Sequence, residues 1–339
     1  MFITTLYFIF SLFLILIAAE LFTNGVEVLG NKYSFSKAVI GSIIAAVGTA
    51  LPETILPIVA ILFLGKGATK DIGVGAILGA PFMLSTVGFF LVGSSVTALA
   101  LIKKRKYYIE IELRSVKRDT LFFVMLYSVS VFVPLLIGQS FNALIAVLLL
   151  TGYLVYAAVT IRSESGKLEH FEDLYTSRLV RYFGINMSDP HHIGFIALQV
   201  IGTLIVMIIG AHLFVGELEV LSLHFGISPL LFALMIAPIA TELPEKFNSV
   251  TWIFKGRDAL AIGNITGAMV FQATFPVSIG LLFTEWKLTG AALLSAVIAL
   301  VSALIMLVGI IAKKRVSPIT MLLGGMFYAL YIAALIIVR

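Results

Sequence analysis

Two short segments of this chain place carboxylates where their apolar surroundings make them costly. GTALPET occupies 48–54 and ATELPEK occupies 240–246. Each carries the order Thr-x-Leu-Pro-Glu, so Thr49, Pro52 and Glu53 have counterparts in Thr241, Pro244 and Glu245. A proline in a helix interior removes one hydrogen bond and clashes with the carbonyl four residues back. In lipid the freed carbonyls, near Gly48–Thr49 and Ala240–Thr241, must find another partner. A desolvated cation is a good one. A charged side chain at the centre of a bilayer costs at least about 2.5–3.5 kcal/mol, so two matched glutamates need a reason. Carboxylates with backbone carbonyls form a hard, all-oxygen ligand set, which suits Ca²⁺ or Na⁺ and not zinc or copper. The absence of cysteine and of any HExxH points the same way. The bland alternative is a buried glutamate pair that stitches helices together, or a protonated glutamate bonded to a neighbour.

The elements that must position these residues follow from composition. Of 339 residues, 60% are hydrophobic and 12% charged, against about 25% charged in soluble domains. The mean hydropathy is +1.10. A soluble domain of this kind would expose large apolar patches, and disorder and disulfide scaffolds are excluded by the same figures. A span needs roughly 20 apolar residues. Ten such stretches are expected: 3–29, 36–63, 71–100, 120–138, 142–161, 193–221, 228–254, 259–284, 288–312 and 318–338. The runs are continuous and not alternating, which excludes an outer-membrane barrel. The first contains Glu20, Asn24 and Glu27 and reads as a mature helix, not a signal peptide. The fold class is therefore all-α integral membrane. The basic isoelectric point does not indicate nucleic acid, because the Lys and Arg residues sit in short runs between spans. With ten spans, 18 of them share one side and four the other. The positive-inside rule puts the richer side in the cytoplasm and both termini outside.

The longest polar stretch, 163–192, divides the spans five and five. Shifting the sequence by 192 aligns AAELFTNGVEVLG (18–30) with GAHLFVGELEVLS (210–222), and 13 of the 36 positions between 18 and 53 are identical. The matches include Glu27/Glu219 as well as the Thr, Pro and Glu of the two signature segments. Five is odd, so the second half enters the membrane from the opposite side. The expected organisation is two inverted five-helix repeats, 1–162 and 193–339, joined by a cytoplasmic linker at 163–192. Inverted repeats of this kind characterise secondary transporters, with the site near the midplane. Glu20, Glu27, Glu217 and Glu219 lie nearer helix ends, where snorkelling is an equal alternative. His212, which replaces Glu20 in the repeat, is expected as a packing histidine.

With these residues in view, the paired segments resemble the signature segments of the cation/Ca²⁺ exchanger superfamily. These are the sodium/calcium exchangers and their proton-coupled and prokaryotic relatives. The resemblance covers most of the chain. In that family each signature helix is followed by one with a pattern like G-N-x-x-G-S-N-x-x-N. Here GAILGAPFML (75–84) and GNITGAMVFQ (263–272) follow, matching at Gly75, Gly79, Gly263, Gly267 and Asn264. Those glycines are expected to let helices approach closely.

The resemblance implies cation ligands at Glu53 and Glu245, with help from Thr49 and Thr241. The family's serine falls on Ala80 and Ala268, and its Asn or Asp four residues later on Leu84 and Gln272. The serine beside each threonine becomes Ala50 and Glu242. Central acids are kept and several neutral oxygens are lost, which tells against three-sodium coupling. Gln272 resembles some proton-coupled members and favours protons slightly. Lys246 lies inside a span, with Glu242 four residues before it in the favourable order for an ion pair. The bland expectation is a self-neutralising pair or a snorkelling lysine. The sharper one is a tethered ammonium that fills a lost sodium position and, since burial disfavours a lysine's charged form, could itself carry the coupling proton.

The expected activity is secondary antiport of Ca²⁺ against H⁺ or Na⁺ by alternating access, with inorganic cations and the bilayer as partners and no cofactor or nucleic acid. The chain is expected to act as a monomer in a prokaryotic plasma membrane. As the resemblance implies, helices 1 and 6 would slide across the other eight. An enzyme is disfavoured: Asp71, Asp119, Asp173, Asp189 and Asp258 all map to loops or helix ends, and no GxxxxGK[ST] is present. A passive channel with the same ligands, or a degenerate homologue that no longer transports, are the rival expectations.

Overall fold

The computed structural model describes residues 1–33, 50–109, 113–163, 173–182 and 192–337. Among them every regular element is helical. Helices stand at the expected positions as far as the described residues reach; of the second, 36–63, only the part from residue 50 on is described. They are α1 (Phe2–Lys32), α2 (Leu51–Ile58, continuing as a π-helix Val59–Leu64), α3 (Ala68–Met83, π-helical at Leu84–Gly88, then Phe89–Leu101), α4 (Leu113–Ile137) and α5 (Asn142–Ser163). After α6 (Tyr175–Tyr182) come α7 (Ile193–His224), α8 (Pro229–Phe254), α9 (Asp258–Gln272, then Phe275–Phe283), α10 (Gly290–Lys313) and α11 (Pro318–Ile337). Eight are long and apolar enough to cross a bilayer, and α2 and α8 contribute shorter apolar stretches, Leu51–Leu64 and Pro229–Glu242. Continuous apolar runs become helices here because only a helix satisfies every backbone group within one segment in lipid.

Burial separates centre from periphery. The most apolar stretch of α3 is 83% buried and that of α9 78%, against 22% for α1 and 28% for α7. One core cluster joins α3, α4, α5 and α8–α11 around Phe82, Phe123, Tyr127 and Tyr331. A second joins α1 and α7 to α2, α3 and α8 through Ile15, Ala18, Met207, Phe214 and Ala237. The packing partners repeat when each helix of the first half is exchanged for its counterpart in the second. Thus α2 packs on α3 as α8 does on α9, and α4 on α5 as α10 does on α11. The second part of α3 packs on α11 as the second part of α9 does on α5. The outermost pair, α1 and α7, pack chiefly on each other.

Three expectations need correcting. Asp119 is no loop or helix-end residue: α4 begins at Leu113, and Asp119 is buried well inside it. A hydropathy window ends the span at the charges of 114–119, but the helix continues through them: Arg118 pairs with Asp119, and Arg114 and Lys117 stay exposed. Helix α8 runs through Pro244 without interruption, so the lost hydrogen bond does not end it. Pro52 stands in the first turn of α2, and Gly48 and Thr49, whose carbonyls it is expected to free, lie outside the described residues. His212 is exposed and does not pack inside the protein. Glu20 is also exposed, and its Oε1 accepts a bond from the Tyr175 hydroxyl at 3.2 Å.

Candidate functional site

Glu53 lies in the first turn of α2, where the helix N-terminus favours a carboxylate. It is 5% exposed, and neither Oε1 nor Oε2 has a hydrogen-bond partner among the described residues. It faces a narrow pocket lined by Ala50, Glu53, Leu84, Glu242, Lys246, Asn264, Ile265, Ala268 and Gln272. These come from α2, α3, α8 and α9, the signature helices and the ones that follow them. A second small cleft on the other side of Glu53 is lined by Ala76, Ala80, Ala237, Pro238 and Thr241.

The donor set is rich in unused oxygens. Glu242 Oε1 and Gln272 Oε1 are buried and, like the Glu53 oxygens, unpartnered among the described residues. Glu242 Oε2 accepts a bond from Lys246 Nζ, and both side chains are 3% exposed. Thr241 Oγ1 donates to Ala237 O at 3.0 Å, and Thr241 lines the same small cleft as Glu53. A buried carboxylate without a partner is tolerable only with a cation or a proton beside it. Four acceptor oxygens around one pocket are the chemistry of a hard cation.

Helix α9 carries Asn264, Ala268 and Gln272 to the pocket on one face, and the opposite face is anchored. Asp119 of α4 accepts from Thr266 Oγ1 at 2.9 Å, from Tyr156 OH at 3.2 Å and from Arg118 Nε at 3.0 Å. At the start of α9, Arg105 makes two bonds to Asp258, at 2.9 and 2.5 Å, a bidentate geometry that fixes orientation as well as adding energy. At Ala273–Thr274, just after Gln272, α9 breaks, and α3 is π-helical at the matching Leu84–Gly88. Thr274 Oγ1 bonds to Val270 O at 2.9 Å and Thr86 Oγ1 to Phe82 O at 2.5 Å, so matching hydroxyls satisfy the carbonyls at both distortions.

Of the residues singled out from sequence, Glu53, Glu242, Lys246 and Gln272 meet in the pocket, and Thr241 stands across Glu53 from it. Thr49 and the side chain of Glu245 lie outside the described residues. Leu84, Ala80 and Ala268, at positions where oxygens were missed, do border the two cavities. Sequence reasoning under-rated two residues. Asn264 was noted for its pattern but not as a lining residue. Glu242 was assigned to charge balance, yet its second oxygen points into the pocket beside Glu53. The available signal was its place one turn before Glu245 on the same helix.

The fold and this buried, oxygen-lined pocket between paired helices define a membrane ion transporter. The chain matches the family described as "Sodium/calcium exchanger protein" over residues 3–162 and 195–339, and it belongs to that family. It is 24% identical over 334 residues to the uncharacterized membrane protein MJ0091 of Methanocaldococcus jannaschii, covering 98% of this chain and 97% of that protein. It is 23% identical over 288 residues to the inner membrane protein YrbG of Escherichia coli K12, covering 85% and 82%. Among solved structures it resembles the H⁺/Ca²⁺ exchanger CAX with a TM-score of 0.74 at 16% identity, over 98% of this chain and 82% of that one. It also resembles the sodium-calcium exchanger NCX_Mj with a TM-score of 0.59 at 19% identity, over 97% of both. The family is one of exchangers, not enzymes.

Proposed function

We propose that this protein exchanges Ca²⁺ for H⁺ or Na⁺ at a pocket built on Glu53 and Glu245, by alternating access. The observation that carries the reading is the set of buried acceptor oxygens on Glu53, Glu242 and Gln272 with no partner among the described residues. A divalent ion would sit on Glu53, Glu245 and Gln272, with oxygens of Thr49 and Thr241 completing the shell. Protons or sodium ions would take the carboxylates when it leaves. Competition for the same oxygens couples the two fluxes without any nucleotide. Leu84, Ala80 and Ala268 supply no oxygen from their side chains, which favours few monovalent ions per cycle and, with Gln272, favours protons over sodium.

The exchangeable pattern of helix contacts supports two inverted repeats, 1–162 and 193–339, with 163–192 as the cytoplasmic linker. In that arrangement α1 and α7 move as a pair over the remaining eight spans, the protein acts as a monomer, and both termini face outward from a prokaryotic plasma membrane.

The test is ⁴⁵Ca²⁺ uptake into proteoliposomes with an imposed pH or Na⁺ gradient, for the wild type and for Glu53→Gln and Glu245→Gln. Uptake that needs a counter-gradient and is lost in both variants is expected. Uptake down the Ca²⁺ gradient alone would make the protein a channel. No uptake under either gradient would make it a homologue that has lost transport. Wild-type exchange in either folded variant removes that glutamate from the site.

A further inference from the structure

The pocket already contains a cation, and it belongs to the protein. The Lys246 ammonium is bonded to one oxygen of Glu242, and both side chains are almost fully buried. The other oxygen of Glu242, both oxygens of Glu53 and the amide oxygen of Gln272 are buried around the same cavity without partners among the described residues. An ion pair that only closed helix packing would be costly to desolvate and replaceable by apolar side chains. This pair instead borders the cavity in which a carboxylate and an amide oxygen remain unmatched. Lys246 thus sets a positive group among lining side chains whose other titratable members, Glu53 and Glu242, are both carboxyls.

We propose that Lys246 is a tethered counter-cation. Its ammonium neutralises Glu242 while the pocket holds no divalent ion, and it is displaced when a divalent ion on the proposed ligands Glu53, Glu245 and Gln272 also engages Glu242. One positive charge exchanged in each cycle then never leaves the protein. Lysine suits this role better than arginine. It is a compact point charge on a flexible four-carbon stem, whereas arginine presents a planar fork that favours a fixed bidentate pair. Because Glu242 and Lys246 are four residues apart on one continuous helix, the ammonium can leave its partner by side-chain rotation alone. The inference rests on the proposed exchange site and adds to it the number of external counter-ions that the site requires.

The experiment follows the pocket charge. Equilibrium ⁴⁵Ca²⁺ binding is measured at one fixed pH on the purified full-length protein, for the wild type, Lys246→Gln, Glu242→Gln, the double variant and Glu53→Gln. Charge coupling is read in proteoliposomes from the membrane potential that nulls ⁴⁵Ca²⁺ flux. Removing the ammonium should tighten Ca²⁺ binding about tenfold or more, since short-range charge interactions in a partly desolvated site are at least that large. It should also add one external monovalent charge per Ca²⁺ transported. Glu242→Gln, which leaves the ammonium unanswered, should weaken binding by a similar factor, and the double variant should return to within about threefold of the wild type. A folded Lys246→Gln protein with wild-type affinity and wild-type coupling overturns the proposal, whatever its melting temperature. If Lys246→Gln does not fold, Glu242→Gln and the double variant decide: unchanged affinity in the first, or no recovery in the second, overturns it. Failure of the exchange site itself would look different, because Glu53→Gln would then bind Ca²⁺ like the wild type.

Discussion

Helices α3 and α9 hold equivalent places in the two halves, and they do opposite work. On α3 the glycines are consumed by packing. A Cβ built at Gly75 would lie 2.2 Å from Leu230 O, and one at Gly79 would lie 2.4 Å from Leu234 O and 2.5 Å from Pro238 Cγ. On α9 the matching Gly263 has nothing within 4 Å, and Gly267 only the Tyr156 hydroxyl at 3.7 Å. The polar content runs the other way. Helix α3 presents Leu84 to the pocket, whereas α9 presents Asn264 and Gln272. One helix has the close helix contact and the other the oxygens. A shared glycine pattern therefore does not have a shared reason, and the expectation of close approach holds at Gly75 and Gly79 but not at Gly263 and Gly267.

The contrast breaks most visibly in stability. Gly75→Ala and Gly79→Ala should each destabilise the protein by about 1–3 kcal/mol through overpacking against a backbone that cannot yield. Gly263→Ala, in an open helical position, should be neutral or stabilise by up to about 1 kcal/mol through helix propensity. Thermal melting in one detergent checks both signs, and equal losses at Gly75 and Gly263 would erase the distinction. Next in size is the chemistry of α9. Gln272→Leu makes the α9 wall resemble that of α3, and Ca²⁺ binding should weaken about tenfold, the cost of one lost buried oxygen ligand. The smallest change builds oxygens into α3 instead. Leu84→Asn combined with Ala80→Ser should raise the sensitivity of ⁴⁵Ca²⁺ uptake to sodium by a few-fold, less than one factor of ten. An unchanged sodium response would mean that the two sides of the pocket differ for another reason than ligand supply.

Much of this was legible in the sequence because the governing signals are strong and local. Runs of twenty apolar residues leave one structural solution, and a Thr-x-Leu-Pro-Glu repeated at a fixed offset is not produced by apolar composition. What escaped were features decided by a distant neighbour. Asp119 reads as a loop residue until Thr266, Tyr156 and Arg118 are seen around it. Glu242 reads as a partner for Lys246 alone, because helical spacing reveals that bond but not the cavity facing its other oxygen. The break expected at Pro244 did not occur, since proline removes a hydrogen bond without dictating whether the surrounding packing lets the helix continue.

Among the described residues, the short helix α6 packs on α1 and α7. Its first residues are fastened there: Tyr175 N donates to Asn24 Oδ1 at 3.0 Å and Thr176 N to Gln199 Oε1 at 2.9 Å. Gln199 Nε2 in turn reaches Asn24 Oδ1 at 2.9 Å, joining the two long helices beneath it. Its outer face shows Arg178, Leu179 and Tyr182. In the proposed alternating-access cycle, a displacement of α1 and α7 would be carried to this face. The chain contains no cysteine, so a single Leu179→Cys provides a unique attachment point for a dye or spin label. The proposed motion of the two long helices would thereby acquire a pointer on an exposed face, readable in the intact protein without a label at the proposed ion site.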